Sequence, residues 1–537
     1  MTGVGRASLL LGAGTLASRV TGFARTIVLA GMIGTVGSSA ADAFSVANQL
    51  PSTVFNLISA GVLTAVLVPQ IVRAGAHQDG GNAFISKVFT LGLVALSAVT
   101  VLLLVVSPLI VTVLLREAGD PVQTELAVWL AYWCAPQIFF YGAFALVGET
   151  MNARRVFGPY MWAPATNNIV SIAGFLVIGV IFRGDLAESS AWSPGMAATL
   201  GITATLSVAL QAATLAFFWR KTGLRIRPDF RWRGAGLGTL GRAGGWSFVM
   251  ALTAMLAGFY QTSVTMAASG DAASVTVLNN AWLLFMLPYA LIVFSLGTPY
   301  FTRIAESAAA GDHERVRRDV ARSIRTLGFF VVGAAAAVAT ASVPLSRMLT
   351  QSGHDAVEAA TVLLAYLVGI LPMAVLFIVQ RTFYALGDTR TPFAFTLIQC
   401  IVVVATAAAA SWLARIETLP IELLAAAVAL GQSISFIVQT LIASALLRRR
   451  LGRIGARRWA RSLIGFLAAA LPAAMGGVGL YALSGGTNGW TSSGVVAGAI
   501  GTIFVGALVL GIYVGILLLA RVEEARSLAS VLQNRRR

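Results

Sequence analysis

The sequence predicts an all-α polytopic membrane protein of about fourteen transmembrane helices. They form two six-helix lobes related by a pseudo-two-fold axis along the membrane normal, with two further helices behind them. Three observations predict this. Of 537 residues, 57% are hydrophobic and 11% charged, and mean hydropathy is +0.82, a balance that soluble domains do not show. The apolar residues gather in runs of the roughly 20 residues that one bilayer crossing needs. Basic residues collect in every second loop between those runs.

The runs lie near 8–33, 42–72, 86–114, 125–150, 158–182, 196–219, 244–268, 274–302, 325–349, 357–386, 391–414, 420–447, 462–484 and 492–520. Pro136, Pro164, Pro288 and Pro372 interrupt several, as in transporter helices. Little chain remains for a soluble domain. The first run contains arginines where a signal peptide would end, so it is read as a retained helix.

Lys and Arg number 38 against 21 Asp and Glu, a net charge of +17. In a soluble chain that excess would suggest nucleic acid. Here it sits in loops: Arg73 and Lys87 after span 2, Arg154 and Arg155 after span 4, and Arg220, Lys221, Arg225, Arg227, Arg231, Arg233 and Arg242 after span 6. Arg303, Arg315, Arg317, Arg318 and Arg322 follow span 8, and Arg448 to Arg450, Arg453, Arg457, Arg458 and Arg461 follow span 12. Loops after odd spans carry few cations, such as Arg116 and Arg183. The positive-inside rule then places the even loops and both termini in the cytoplasm. The basic clusters imply contact with anionic membrane lipids and no nucleic-acid partner.

The chain repeats itself. Pro69 and Arg73 leave span 2 as Pro299 and Arg303 leave span 8, and Thr90-Leu91-Gly92 echoes Thr326-Leu327-Gly328. Met151 to Pro159 resembles Tyr384 to Pro392. The offsets, 230 to 236, are shifts of six spans, so the halves share orientation. The expected organisation is residues 1–222, 223–450 and 451–537: two lobes around a central cavity, then spans 13–14 with a basic tail.

Enzyme signatures are absent. His77, His313 and His354 have no metal-ligand spacing, Cys134 and Cys400 lie inside apolar spans, and no Gly-rich phosphate loop ends in Lys. The chemistry lies in polar residues at membrane depth. Arg19 and Arg25 flank one broad face of span 1, and Ser18 and Gly22 share a face beside them. Arginine there costs roughly 2.5 to 3.5 kcal/mol and normally meets a watery cavity or an anion. Asn56, Asn168 and Gln261 are further cavity candidates, with interhelical hydrogen bonding the competing role. Asp42, Glu149, Arg381 and Asp388 are candidate gates, Asp42 equally a helix cap, and Glu149 and Arg381, at the inner ends of spans 4 and 10, more readily solvated helix ends. Intramembrane cations suit an anionic substrate, and bidentate arginine–phosphate contacts suit a lipid-linked one.

These residues resemble the MurJ (MviN) family of lipid II flippases, in the multidrug/oligosaccharidyl-lipid/polysaccharide exporter superfamily. The carrying motifs are Ser18-Arg19-Val20-Thr21-Gly22-Phe23-Ala24-Arg25, Asp42-Ala43-Phe44, Leu50-Pro51, Pro164 with Asn168, Leu287-Pro288, and Arg381-Thr382-Phe383-Tyr384-Ala385-Leu386-Gly387-Asp388-Thr389-Arg390-Thr391-Pro392. The resemblance implies that Ser18, Arg19, Arg25 and Asp42 match functional positions, with the arginines on the lipid's diphosphate. Three departures stand out: Thr26 replaces an acidic residue, Trp282-Leu283 an acidic–Arg pair, and Phe55-Asn56 a pair of arginines. The second lobe's share of the anion site is thus missing or relocated, as in a divergent, actinobacterial member.

The resemblance implies a monomeric flippase of the bacterial cytoplasmic membrane, associated with cell-wall synthesis machinery. It would carry lipid II, the undecaprenyl-diphosphate-linked peptidoglycan precursor, outward by alternating access. No cofactor or metal is expected. The membrane potential would drive the cycle, and a coupling monovalent cation in the second lobe stays open. Competing readings are a flippase for another polyprenyl-linked glycan and a drug/cation antiporter. A membrane-embedded glycosyltransferase or phosphatase would need clustered acidic or His residues that the sequence lacks.

Overall fold

Apolar runs at membrane depth become helices because the bilayer core offers backbone N–H and C=O groups no other partner. A computed structural model describes residues 3–62, 79, 81–154, 156, 158–182, 184–231, 238–452 and 455–534, with backbone alone at 3–12, 60–62, 238–247, 456–458 and 531–534. Pro69, Arg73, His77, Arg155, Phe157, Arg183, Arg233, Arg453 and Arg535 to Arg537 lie outside the described residues, as do the side chains of Arg6, Arg242, Arg457 and Arg458.

Among the described residues, 13 helical segments are long and apolar enough to cross a membrane. Helix α2 (Ser39–Val62) is the expected crossing not among them. Its 24 residues suffice in length, but Asp42, Asn48, Gln49 and Asn56 lower its hydropathy. Contacts divide the chain into two units, Met1–Gly270 and Asp271–Arg537.

The first unit holds α1 (Gly3–Ile33), α2, α3 (Asn82–Leu114), α4 (Pro121–Cys134), α5 (Gln137–Ala153), α6 (Gly158–Ile181), α7 (Pro194–Phe217) and α8 (Gly238–Thr265). The expected fourth span is broken at Ala135-Pro136 into α4 and α5, because proline lacks the N–H that would continue the ladder. Caps set other starts: Asp120 accepts from Val122 N–H with Pro121 first in α4, and Ser193 accepts from Met196 N–H ahead of Pro194 in α7. Helix α1 packs on α6, α6 on α7, and α2 on α4 and α8. Along α3, Val101, Val105 and Leu109 are 60%, 72% and 66% exposed. A one-sided apolar stripe of that exposure belongs against lipid.

After α7 the chain leaves as an extended strap along α3. Backbone N–H groups of Arg225, Arg227 and Asp229 donate to Asn82 Oδ1 (2.8 Å), Ser86 Oγ (3.2 Å) and Thr90 Oγ1 (2.9 Å). Alternate residues of an extended chain advance roughly 6.6 Å, close to the roughly 6 Å between every fourth residue of a helix.

The second unit holds α9 (Val275–Tyr289), α10 (Ser295–Ala309), α11 (His313–Thr340), α12 (Ser342–Arg347), α13 (Gly353–Leu367), α14 (Ile370–Ala385), α15 (Arg390–Arg415), α16 (Leu424–Leu451), α17 (Ala456–Leu483), α18 (Val495–Leu519) and α19 (Glu523–Asn534). Helices α9 and α10 form one crossing through a π-turn, Ala290–Phe294, two residues after Pro288. Helix α11 begins twelve residues before the expected apolar run, because Asp312 caps it by accepting from Arg315 N–H. Helices α17 and α18 pack on α11. Tyr513 O–H donates to the Phe329 carbonyl (2.9 Å), and the Phe329 ring meets Tyr513 and Phe466 at 5.8 Å. Arg325 of α11 pairs with Glu524 (2.8 Å) and Glu523 (3.6 Å), seating α19.

Candidate functional site

Within the first unit, the polar residues at membrane depth form two groups and a latch. The first group is the seam between α1 and α6. Thr21 O–H donates to the Ala17 carbonyl (2.8 Å) and Thr26 O–H to the Gly22 carbonyl (3.2 Å), which satisfies both hydroxyls inside their own helix. Asn168, buried on α6, donates to the Ser18 carbonyl (3.0 Å) and the Thr21 hydroxyl (3.1 Å). Gly22 stands opposite: a Cβ there would lie 3.3 Å from Asn168 Nδ2. Ser18, Gly22 and Asn168 are therefore brought together, with the asparagine amide engaged by α1. Asn167 turns the other way and donates to Gln211 Oε1 on α7 (2.8 Å).

The second group surrounds Arg25. Its half-buried side chain lies within electrostatic reach of Tyr141 on α5. Tyr141 O–H donates to Gln137 Oε1 (3.3 Å), Gln137 Nε2 donates to Asn48 Oδ1 of α2 (2.9 Å), and Phe55 stacks on the Tyr141 ring at 6.0 Å. Tyr141, the group that acts on this guanidinium, is thus tied to α2 through Gln137 and Asn48. Arg19 is exposed on α1 between exposed Leu16 and Val20. Among the described residues no carboxylate pairs with either arginine. Their charge is thus left for a ligand or water.

Asp42 is fully buried in the first turn of α2. Ser269 O–H donates to Asp42 Oδ2 (2.7 Å), and Gln123 Nε2 donates to Ser269 Oγ (2.6 Å) and the Ser39 carbonyl (2.8 Å). The capping role belongs to Ser38, whose Oγ accepts from Ala41 N–H (3.1 Å). Asp42 instead joins α2 to α4 and to the segment after α8. Asn56 is exposed on α2 and Gln261 half-buried on α8. Glu149 is half-buried near the end of α5.

In the second unit, Asp388 serves a turn. It accepts from Arg390 N–H (3.1 Å), Thr391 N–H (3.0 Å) and Thr391 O–H (2.8 Å), and pairs with Arg450 at the end of α16. Gly387 before it takes φ +73°, a conformation that favours glycine. Burial pushes the Asp388 carboxyl up, but the Thr391 hydrogen bonds and the Arg450 charge outweigh it and hold it below the usual carboxylate range. Arg381 lies on α14 against Phe301 and Phe377.

Gln123, Gln137, Tyr141 and Ser269 were absent from the residues singled out in the sequence. Gln137 and Tyr141 follow a proline break at helical spacing, a signal that was available. Ser269 carried none, since only the fold brings it 227 residues back to Asp42.

The family model described as "Lipid II flippase MurJ" matches residues 30–499. The chain belongs to the MurJ family. A probable lipid II flippase MurJ of Rhizobium meliloti (strain 1021) is 26% identical over 404 residues, covering 72% of this chain and 71% of that protein. The solved structure of lipid II flippase MurJ in an inward closed conformation aligns with TM-score 0.70 at 19% identity, covering 96% of this chain and all of that one. An inward-facing multidrug resistance MATE family transporter of the MOP superfamily aligns with TM-score 0.63 at 17% identity, covering 82% of this chain and 95% of its own. The fold is therefore that of MurJ and the MOP exporters. Arg19 and Arg25 lie just before the MurJ match, whereas Asn48, Gln137, Tyr141 and the Asp42 latch lie inside it.

Proposed function

We propose that this MurJ-family chain is a lipid II flippase of the bacterial cytoplasmic membrane, a transporter rather than an enzyme. The observation that carries the reading is the family match over residues 30–499. The guanidinium of Arg25 beside Tyr141, with Arg19 six residues before it, supplies the chemistry. The polar head of lipid II contains a diphosphate, and a guanidinium fork matches phosphoryl oxygens bidentately. The apolar tail stays in the bilayer while the head is carried across.

The potential, negative inside, favours moving an anion outward by about 2.3 kcal/mol per charge per 100 mV. The same field returns the empty cationic site inward, so the cycle runs without ATP or a bound cofactor. Both termini are cytoplasmic by the loop charges, and the flippase acts as a monomer beside the cell-wall synthesis machinery. Asp42, latched by Ser269, is the outer gate of this cycle.

The test is depletion of the protein followed by an external toxin that cleaves lipid II. Accumulated precursor protected from the toxin is the expected result. Precursor that stays fully cleavable would overturn the lipid II assignment.

A further inference from the structure

The second unit carries its own guanidinium one turn before the end of α14, held in a different way. Arg381 Cζ stands 5.2 Å from the ring centroid of Phe301 and 5.2 Å from that of Phe377, both within cation–π range. Phe377 lies one turn before Arg381 on α14, and Phe301 is on α10. Gly297 makes the room, since a Cβ there would meet Phe377 Cε1 at 2.6 Å. Phe294 packs 5.8 Å from Phe377 and 5.7 Å from Tyr289. It does so from the last residue of the Ala290–Phe294 π-turn, an irregularity frequent at functional sites.

Ring faces attract the cation without using its N–H groups. Among the described residues of this unit, no carboxylate pairs with Arg381 and no acceptor takes a hydrogen bond from it. Five donors in a fixed fork therefore remain for a planar acceptor.

We propose that Arg381 is an anion-binding residue, its guanidinium taking phosphoryl oxygens of a polyprenyl diphosphate, with Phe301 and Phe377 as positioning residues. The proposal rests on the flippase reading and deepens it. The second half lacks a basic residue at Trp282-Leu283, and Arg381 supplies the cation from another helix. Free diphosphate offers the same chemistry, so the experiment separates the two sources.

The full chain in phosphatidylcholine nanodiscs is titrated with farnesyl diphosphate, farnesol and inorganic pyrophosphate, and followed by intrinsic fluorescence. Thermal unfolding checks that each variant is folded. Arg381→Gln is expected to weaken farnesyl diphosphate about tenfold and leave farnesol unchanged. Arg381→Lys, which keeps the charge but not the fork, falls between. Phe301→Leu with Phe377→Leu weakens the diphosphate severalfold, and the paired Tyr replacements, which restore ring faces, rescue it. Farnesyl diphosphate binding that Arg381→Gln leaves unchanged, while Arg25→Gln weakens it, overturns the proposal and spares the flippase reading. Pyrophosphate bound as tightly as farnesyl diphosphate, with the same Arg381 dependence, upholds the anion site and overturns the lipid as its source. Failure of the parent protein to bind either phosphate overturns both.

Discussion

Arg25 and Arg381 pose one problem, a helix-borne guanidinium without a carboxylate, and the two units solve it with opposite materials. In the first unit the neighbour is Tyr141, which hydrogen bonds tie through Gln137 on α5 to Asn48 on α2. In the second they are the rings of Phe301 and Phe377, continuous with an aromatic row through Phe294, Tyr289 and Phe285 to Trp282. Amides and hydroxyls hold an arginine by solvating its surroundings. Ring faces hold it by their quadrupole and need no water. The comparison teaches that a cation without a carboxylate can be kept beside hydrogen-bonding groups or against ring faces, and that one chain uses both.

The comparison breaks most readily at Arg25. Arg25→Gln is expected to lower external exposure of lipid II by about ten- to a hundredfold, the loss of one or two charge-assisted bonds; exposure equal to the parent's would reduce the polar frame to packing. Next comes the far end of the aromatic row. Trp282 stacks on Phe285 at 5.0 Å and meets Tyr366 edge-on at 5.3 Å, so Trp282→Leu should cost about 1 to 3 kcal/mol, read as a lowered unfolding temperature in detergent. No change in that temperature would mean the row is not a unit.

Gln137→Leu cuts the link between Tyr141 and Asn48, and hydrogen bonds inside membranes average about 0.6 kcal/mol with a maximum near 1.7. A small thermal shift with a larger transport defect would sharpen the comparison, because it would separate framing of Arg25 from stability. Asp388 gives the smallest effect. Its carboxyl is held below its ordinary range, so its contribution is present at neutral pH and lost as pH falls through the folded value. Protection of the 386–391 turn amides, taken relative to their intrinsic exchange rate at each pH, should fall on acidification by no more than a pair worth about 1 kcal/mol allows, and Asp388→Asn should remove that fall.

Much of this was legible in the sequence. Fourteen apolar runs, the loop charges and the motif around Arg25 were visible because membrane insertion imposes length and charge rules on the chain itself. The motif from Arg381 to Pro392 was visible too, and its parts prove chemically distinct: Arg381 meets rings, whereas Gly387, Asp388 and Thr391 build a turn. What sequence could not give was partnership. Asn168 reads equally as a cavity lining or a seam until its amide is found on Ser18 and Thr21. Asp42 reads equally as a cap until Ser38 is seen to hold that position. Pro136 and Pro288 marked where two helices are interrupted, but not that one interruption is a short turn at Ala135-Pro136 and the other a π-turn, because hydropathy is continuous across both.

The strap along α3 has a consequence of its own. Its three N–H groups meet three hydroxyl or amide oxygens with a two-to-four register, like teeth of unequal pitch that still mesh over a short length. One inserted residue between Arg225 and Asp229 would turn every later N–H away from the helix and swing the intervening side chains onto it. Two inserted residues would restore the mesh one tooth further along. This stretch of loop is therefore parity-sensitive: it keeps count of its residues modulo two, a strictness otherwise reserved for strands inside a sheet.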